Sequence, residues 1–405
     1  MRDDLAATLR SLRDLHAMGL LDDAEYADKL ERLRERFGHT IVDALLRVVV
    51  ASPESRSSAH TGSSSSSAPG TGLTPPGAAA RDEPLPASLS ADGRHFSYGH
   101  ALIIGVAEYA HPRLRLPGGT TVSDARALAS LLRDPHLAAY PEQQVRLLVD
   151  GKATRNHVLD ALEELAHLVD GGTALICFAG RGAATGAGYA LLPFDADPDH
   201  LAETALTAEV FHRRVAKVRD RAQRLVVLLN CCQGTGENDP DGPVAALSGS
   251  VPPPEFYRPL SVSGNQVIIS SARPGQRAGS RSAVNPRHTI FGEHLLLALG
   301  GQAPGAGPTI GVFDLFAYLR VAVPADGRSL QRPESLLQEP LIYTAHLGDN
   351  LPVALRPAGG VAGGDAAAVR RLVELELRLE AGNGETAHTV LVERDELLAT
   401  LAAAL

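Results

Sequence analysis

Apolar residues in the middle of this 405-residue chain fall into two patterns. Short unbroken runs occupy Ala101 to Val106, Val145 to Val149, Ala174 to Phe178, Leu225 to Leu229 and Val267 to Ser270. A strand with one wet face would alternate apolar and polar residues, so unbroken runs predict strands of a parallel sheet covered on both sides. Between them, apolar residues recur at helical spacing over Asp124 to Arg133, Arg155 to Val169 and Thr207 to Arg219. Ser123 and Thr154 are the expected N-caps of the first two. Alternating strands and helices predict an α/β fold, a mostly parallel sheet flanked by helices with right-handed crossovers.

The pattern changes on either side of this region. Residues 1–50 carry Leu5, Leu9, Leu12 and Leu15, then Leu20, Tyr26, Leu30 and Leu33, with Gly19 between and Asp22 placed to cap a second helix. They predict a small helical hairpin, which Ile41 to Val50 closes. Residues 51–94 hold five serines in a row (Ser63 to Ser67) and Pro75-Pro76, with little to bury, and read as a linker. The main domain is expected over 95–355. In 356–405 a helix over Ala367 to Glu380 carries the stripe Val369, Leu372, Leu375 and Leu377, and Val390 to Val392 leads into another. The stripe suits docking onto the main domain or onto a partner.

Composition narrows the function. The formal net charge of −9 argues against a general nucleic-acid binder. No run reaches the roughly 18 apolar residues of a membrane span, and Met1-Arg2-Asp3-Asp4 opens without an apolar stretch, so no secretory signal is expected. Three cysteines are too few for a disulfide framework, and the expected compartment is the cytoplasm. No cofactor or metal is expected.

Candidate chemistry sits after two of the strands. Cys232-Gln233-Gly234 follows the run ending at Leu229, and Arg181 lies in the turn Ala179-Gly180-Arg181-Gly182 after the run ending at Phe178. Active residues of open α/β sheets gather at such carboxyl ends. A nucleophilic cysteine in a C-x-G context with its histidine about 50 residues upstream is a known peptidase spacing, and that spacing falls on Arg181.

The stretch resembles bacterial caspase-like proteins, related to the metacaspases of peptidase family C14, over about His100 to Leu355. The resemblance rests on Ala101 to Tyr109, Thr121 to Ala125, Ala174 to Gly182, Tyr189 to Ala196, Leu228 to Gly234, Val267 to Gln276 and Phe291 to Leu299, in that order. It implies a cysteine endopeptidase with Cys232 as nucleophile and the backbone N–H groups of Cys232 and Gly182 as oxyanion donors. Arg181 stands in the histidine's position. An arginine stays protonated near neutral pH and cannot shuttle a proton, so the implied catalysis is impaired. Asp124, Asn230, Ser271 and Arg273 are the implied substrate-binding residues.

Departures bear on the pocket. Relatives with acids there hold Arg or Lys before the scissile bond; here Asn230 replaces one acid and Asp124 remains. Arg273, Arg277 and Arg281 would favour an acidic residue instead. Gln233 to Pro259, rich in Gly, Pro and Asp, falls where relatives carry a mobile, often cleaved loop. The N-terminal hairpin resembles SHOCT-type or effector-associated units, which implies protein partners through the terminal helices and a setting in bacterial conflict or cell-death signalling. Two other readings stay open: a pseudo-peptidase scaffold that binds partners, and a redox-sensing protein built on a low-pKa Cys232.

Overall fold

The computed structural model of the chain describes residues 95–186, 188–231, 252–260, 265–274, 276, 278–305, 307–332, 337–345, 348–360, 365–380 and 387–404. The expected hairpin over 1–50, the linker over 51–94, Cys232 and Arg277 lie outside them.

The five apolar runs form β1 (Gly99–Gly105), β2 (Val145–Val149), β3 (Thr173–Gly180), β7 (Arg224–Cys231) and β8 (Gln266–Ser270). They lie in one six-stranded sheet of order β10-β8-β7-β3-β1-β2, where β10 is Leu341–Tyr343. Every pairing is parallel except β10 with β8. The fold is therefore mixed α/β around a mostly parallel sheet flanked by helices.

Alternation along each strand sorts the core into two layers. Ile104, Ile176, Phe178, Val227 and Leu229 pack with α2 (Arg155–Leu168) and α3 (Ala208–Arg221). Ile103, Leu175, Cys177, Val226 and Leu228 pack with α1 (Thr120–Arg133), α4 (Ile290–Leu297) and α5 (Val312–Ser329). Thr154 caps α2, its side chain accepting from the His157 N–H.

Helix α1 starts at Thr120, a turn before the expected Ser123 cap. The Thr121 hydroxyl donates to the Val106 carbonyl at 2.8 Å, which ties the extra turn to the end of β1. Ser123 then falls inside the helix, its hydroxyl donating back to the Gly119 carbonyl. Two small sheets were not expected: β4 (Gly182–Thr185), β5 (Gly188–Leu191) and β6 (Leu206–Thr207), and β9 (Thr309–Gly311) with β11 (Pro352–Leu355).

The C-terminal helices α6 (Ala366–Glu380) and α7 (Ala387–Ala404) dock on the main domain. Val369, Leu372 and Val373 of α6 and Leu401 of α7 join the core layer of α5. Glu376 of α6 is fully buried and pairs with Arg320 of α5 at 2.8 Å.

Candidate active site

Central position and parallel direction bring two carboxyl ends together. At the ends of β3 and β7, Ala179 pairs with Asn230 and Gly180 with Cys231. Alternation sends Cys231 into the layer of α2 and α3. Asn230 faces the other layer, that of α1 and α4, which it meets through Asp124 and Thr289.

Arg181, just past β3, is buried. Its N–H donates to the Tyr109 hydroxyl at 2.6 Å. Its guanidinium reaches back to the loop between β1 and α1, Nε donating to the Leu114 carbonyl at 2.6 Å and Nη2 to the Arg115 carbonyl at 3.3 Å. Carbonyl acceptors keep a buried guanidinium charged, and a charged guanidinium has no lone pair with which to take a proton.

Gly182 opens β4, opposite Leu191 of β5. A Cβ there would lie 1.9 Å from the Tyr189 hydroxyl, so only glycine fits.

Asp124, in the first turns of α1, is 5% exposed. Its Oδ1 accepts from His288 Nδ1 at 2.9 Å and from the Thr289 N–H at 3.2 Å. Its Oδ2 accepts from Thr289 Oγ1 at 2.6 Å and from Asn230 Nδ2 at 3.3 Å. Asn230 Nδ2 also donates to Thr289 Oγ1 at 2.9 Å, and Thr289 caps α4 by accepting from the Gly292 N–H. Burial raises the Asp124 pKa, against the hydrogen bonds from His288 and Thr289. The hydrogen bond to Asp124 raises that of His288, against burial. A small cavity alongside is lined by Asp124, Asn230, Cys177 and apolar side chains of α1 and α4. Burial, with Asp124 nearby, pushes the Cys177 thiol up to about 12, which suits an inert packing residue.

Of the implied substrate-binding residues, Asp124 and Asn230 thus meet directly. Ser271 and Arg273 do not join them in any hydrogen bond. The Ser271 N–H donates to the Leu229 carbonyl, its own carbonyl accepts from Gln338 Nε2, and its hydroxyl is buried without a partner. Arg273 is held by three carboxylates, Glu339 at 3.1 Å, Glu380 at 2.8 Å and Glu376. Two of these come from α6, so this guanidinium is already neutralised. Among the described residues, no three His, Cys, Asp or Glu side chains gather as a metal would need, and no helix is long and apolar enough to cross a membrane.

Thr289 and His288 complete the Asp124 cluster and were not among the implied site residues. Thr289 did carry a local signal, a threonine directly before the apolar start of a helix. His288 carried none, because its partner lies 164 positions away.

No curated protein matches the chain. Solved structures similar to it include a protein of Geobacter sulfurreducens, 16% identical over 65% of this chain and 99% of that one, with a TM-score of 0.42. Caspase-1 from Spodoptera frugiperda is 17% identical over 65% of this chain and 92% of that one, with a TM-score of 0.40. The Drosophila initiator caspase Dronc is 10% identical over 73% of this chain and 99% of that one, also at 0.40. The caspase domain family (Peptidase_C14) matches residues 98–351, which hold the whole central sheet and both strand ends described above. By that match the chain belongs to the caspase domain family.

Proposed function

We propose that the chain is a caspase-type cysteine endopeptidase domain in which Cys232 is the nucleophile and Arg181 occupies the place of the general base, so that peptide cleavage is impaired. The observation that carries this reading is the state of Arg181. Its guanidinium is buried and bonded to the Leu114 and Arg115 carbonyls, and it can neither accept the thiol proton nor return one to the leaving amine. In this reading Cys232 keeps the nucleophile's position while acyl transfer lacks its acid. The substrates in this reading are peptides or proteins, and the setting is cytoplasmic, in bacterial conflict or cell-death signalling.

The test is turnover of fluorogenic peptides with Arg, Lys or Asp before the scissile bond. General acid–base help is worth roughly 10²–10⁴-fold, and Arg181→His is expected to raise turnover by a factor in that range. Cys232→Ala in the same background should abolish it. Turnover by the parent chain that already matches Arg181→His would sink the reading.

A second reading, a pseudo-peptidase scaffold, is favoured by the same satisfied guanidinium, which serves a structural tether without any catalysis. Silence from Arg181→His would select it.

A further inference from the structure

Arg181 stands in a closed ring of contacts that the missing proton transfer does not explain. Its main-chain N–H donates to the Tyr109 hydroxyl, and its guanidinium donates to the Leu114 and Arg115 carbonyls. Arg115 Nε in turn donates to the Tyr109 carbonyl at 3.3 Å, which brings the ring back to its start. All of these partners lie in the loop between β1 and α1. The start of that loop is held separately, by Asp150. One of its carboxylate oxygens accepts from the Ala107 and Glu108 N–H groups, each at 2.9 Å.

The ring fixes the direction of a peptide plane. The Arg181 carbonyl accepts from the N–H of Leu192, just past β5, at 2.9 Å. In a trans peptide the carbonyl and the following N–H point in opposite directions, so the Gly182 N–H is turned away from β5. Gly182 and Leu191 then form a pair whose own N–H groups are not spent on the β4–β5 ladder. One peptide unit earlier, the Arg181 N–H is gripped by Tyr109, a side chain with no exposed surface. Gly180 makes room for that grip, since a Cβ there would lie 2.9 Å from the Tyr109 hydroxyl. Neither plane of the turn can rotate without breaking one of these bonds. A backbone donor fixed in direction before the reaction is what oxyanion stabilisation requires.

We propose that Tyr109 is a positioning residue of the site: through the Arg181 N–H it orients the turn that carries the Gly182 donor, and the Arg181 guanidinium closes the loop around it. The proposal rests on the peptidase reading for the use made of that donor; the orientation itself is measured without turnover.

The experiment uses Tyr109→Phe, which removes the hydroxyl and keeps the ring. Its first arm is amide hydrogen exchange of the full chain, resolved to single residues. The Arg181 amide should lose protection by about tenfold or more, as expected for one lost hydrogen bond, while the amides of β1 and β3 keep theirs. The second arm is peptide turnover in the Arg181→His chain, where the backbone N–H at 181 is still present. Adding Tyr109→Phe should lower kcat by about tenfold or more, short of the roughly 10²–10³-fold lost when an oxyanion donor is removed outright. KM should stay within about twofold, because the donor meets its oxygen only as charge develops. Circular dichroism melts check that both chains are folded at the assay temperature. Unchanged exchange at Arg181 would overturn the proposal, as would an unchanged kcat in an active Arg181→His chain. A Tyr109→Phe chain that does not fold would make Tyr109 a structural residue and overturn it as well. An Arg181→His chain that is silent with Tyr109 in place would mark failure of the peptidase reading instead, and the exchange arm would then decide the orientation alone.

Discussion

A methyl group at Gly182 would meet the Tyr189 hydroxyl at 1.9 Å, and Tyr189 is itself buried. Gly182→Ala is therefore expected to lower stability by about 1–3 kcal/mol, the usual cost of overpacking, read as a lower calorimetric Tm. The Asp124–His288 pair makes a second prediction at this scale. The His288 pKa is raised above 6.5, first by its hydrogen bond to Asp124, with Glu293 adding and both burial and Arg287 opposing. Its contribution to stability is complete below the unfolded value and is lost as pH rises through the folded one. The Asp124 pKa is also raised, by burial, so both groups make the folded chain hold protons longer than the unfolded chain does. Thermal melts should show stability falling as pH is raised from about 6 through the His288 transition. His288→Asn, with no proton to lose, should show a smaller fall over the same range.

Among the elements, α6 carries the largest unmet demand once disturbed. Glu376 is fully buried and holds Arg320, whose side chain is 1% exposed, while also holding Arg273. Without Glu376, Arg273 keeps Glu339 and Glu380, and Arg320 keeps only Glu339 at 3.4 Å; loss of a buried partner costs up to about 3–5 kcal/mol. Glu376→Ala should therefore shift the urea midpoint far more than Glu374→Ala, whose partners Arg370 and Arg371 are partly exposed. Arg273 is tied to β8 through its position and to α6 through Glu376 and Glu380. The same variant should speed proteolytic cutting in 271–276 if that tether holds the loop. The stripe of α6 was legible as a docking face; its target was not, because amphipathic spacing says that a face is buried and not against what.

For the molecule as a whole, the family match ends at residue 351, before α6 begins, yet α6 and α7 share the core of α5. A chain ending at residue 360 should expose that apolar layer and aggregate or lose its cooperative transition, as light scattering and a denaturant melt would report. Much of the fold was readable beforehand. The five central strands, α2 with its Thr154 cap, and the α/β class follow from apolar runs and caps, which act over a few residues and leave a local trace. Helix α5 went unread because it is buried on nearly every side and contains Pro324, so it shows neither a polar stripe nor an uninterrupted helical pattern. The three-residue strands β9 and β10 are too short to carry a period at all. Strand–helix alternation, and the place of Arg181 just past the end of a buried strand, can be read from local apolar runs. Which partners the charged residues take emerges only in the folded chain: Asp124 with His288, Arg181 with the Leu114 carbonyl, and Arg273 with the carboxylates of α6. Such pairings join residues tens to more than a hundred positions apart, and electrostatic partnership at that separation has no periodicity to read.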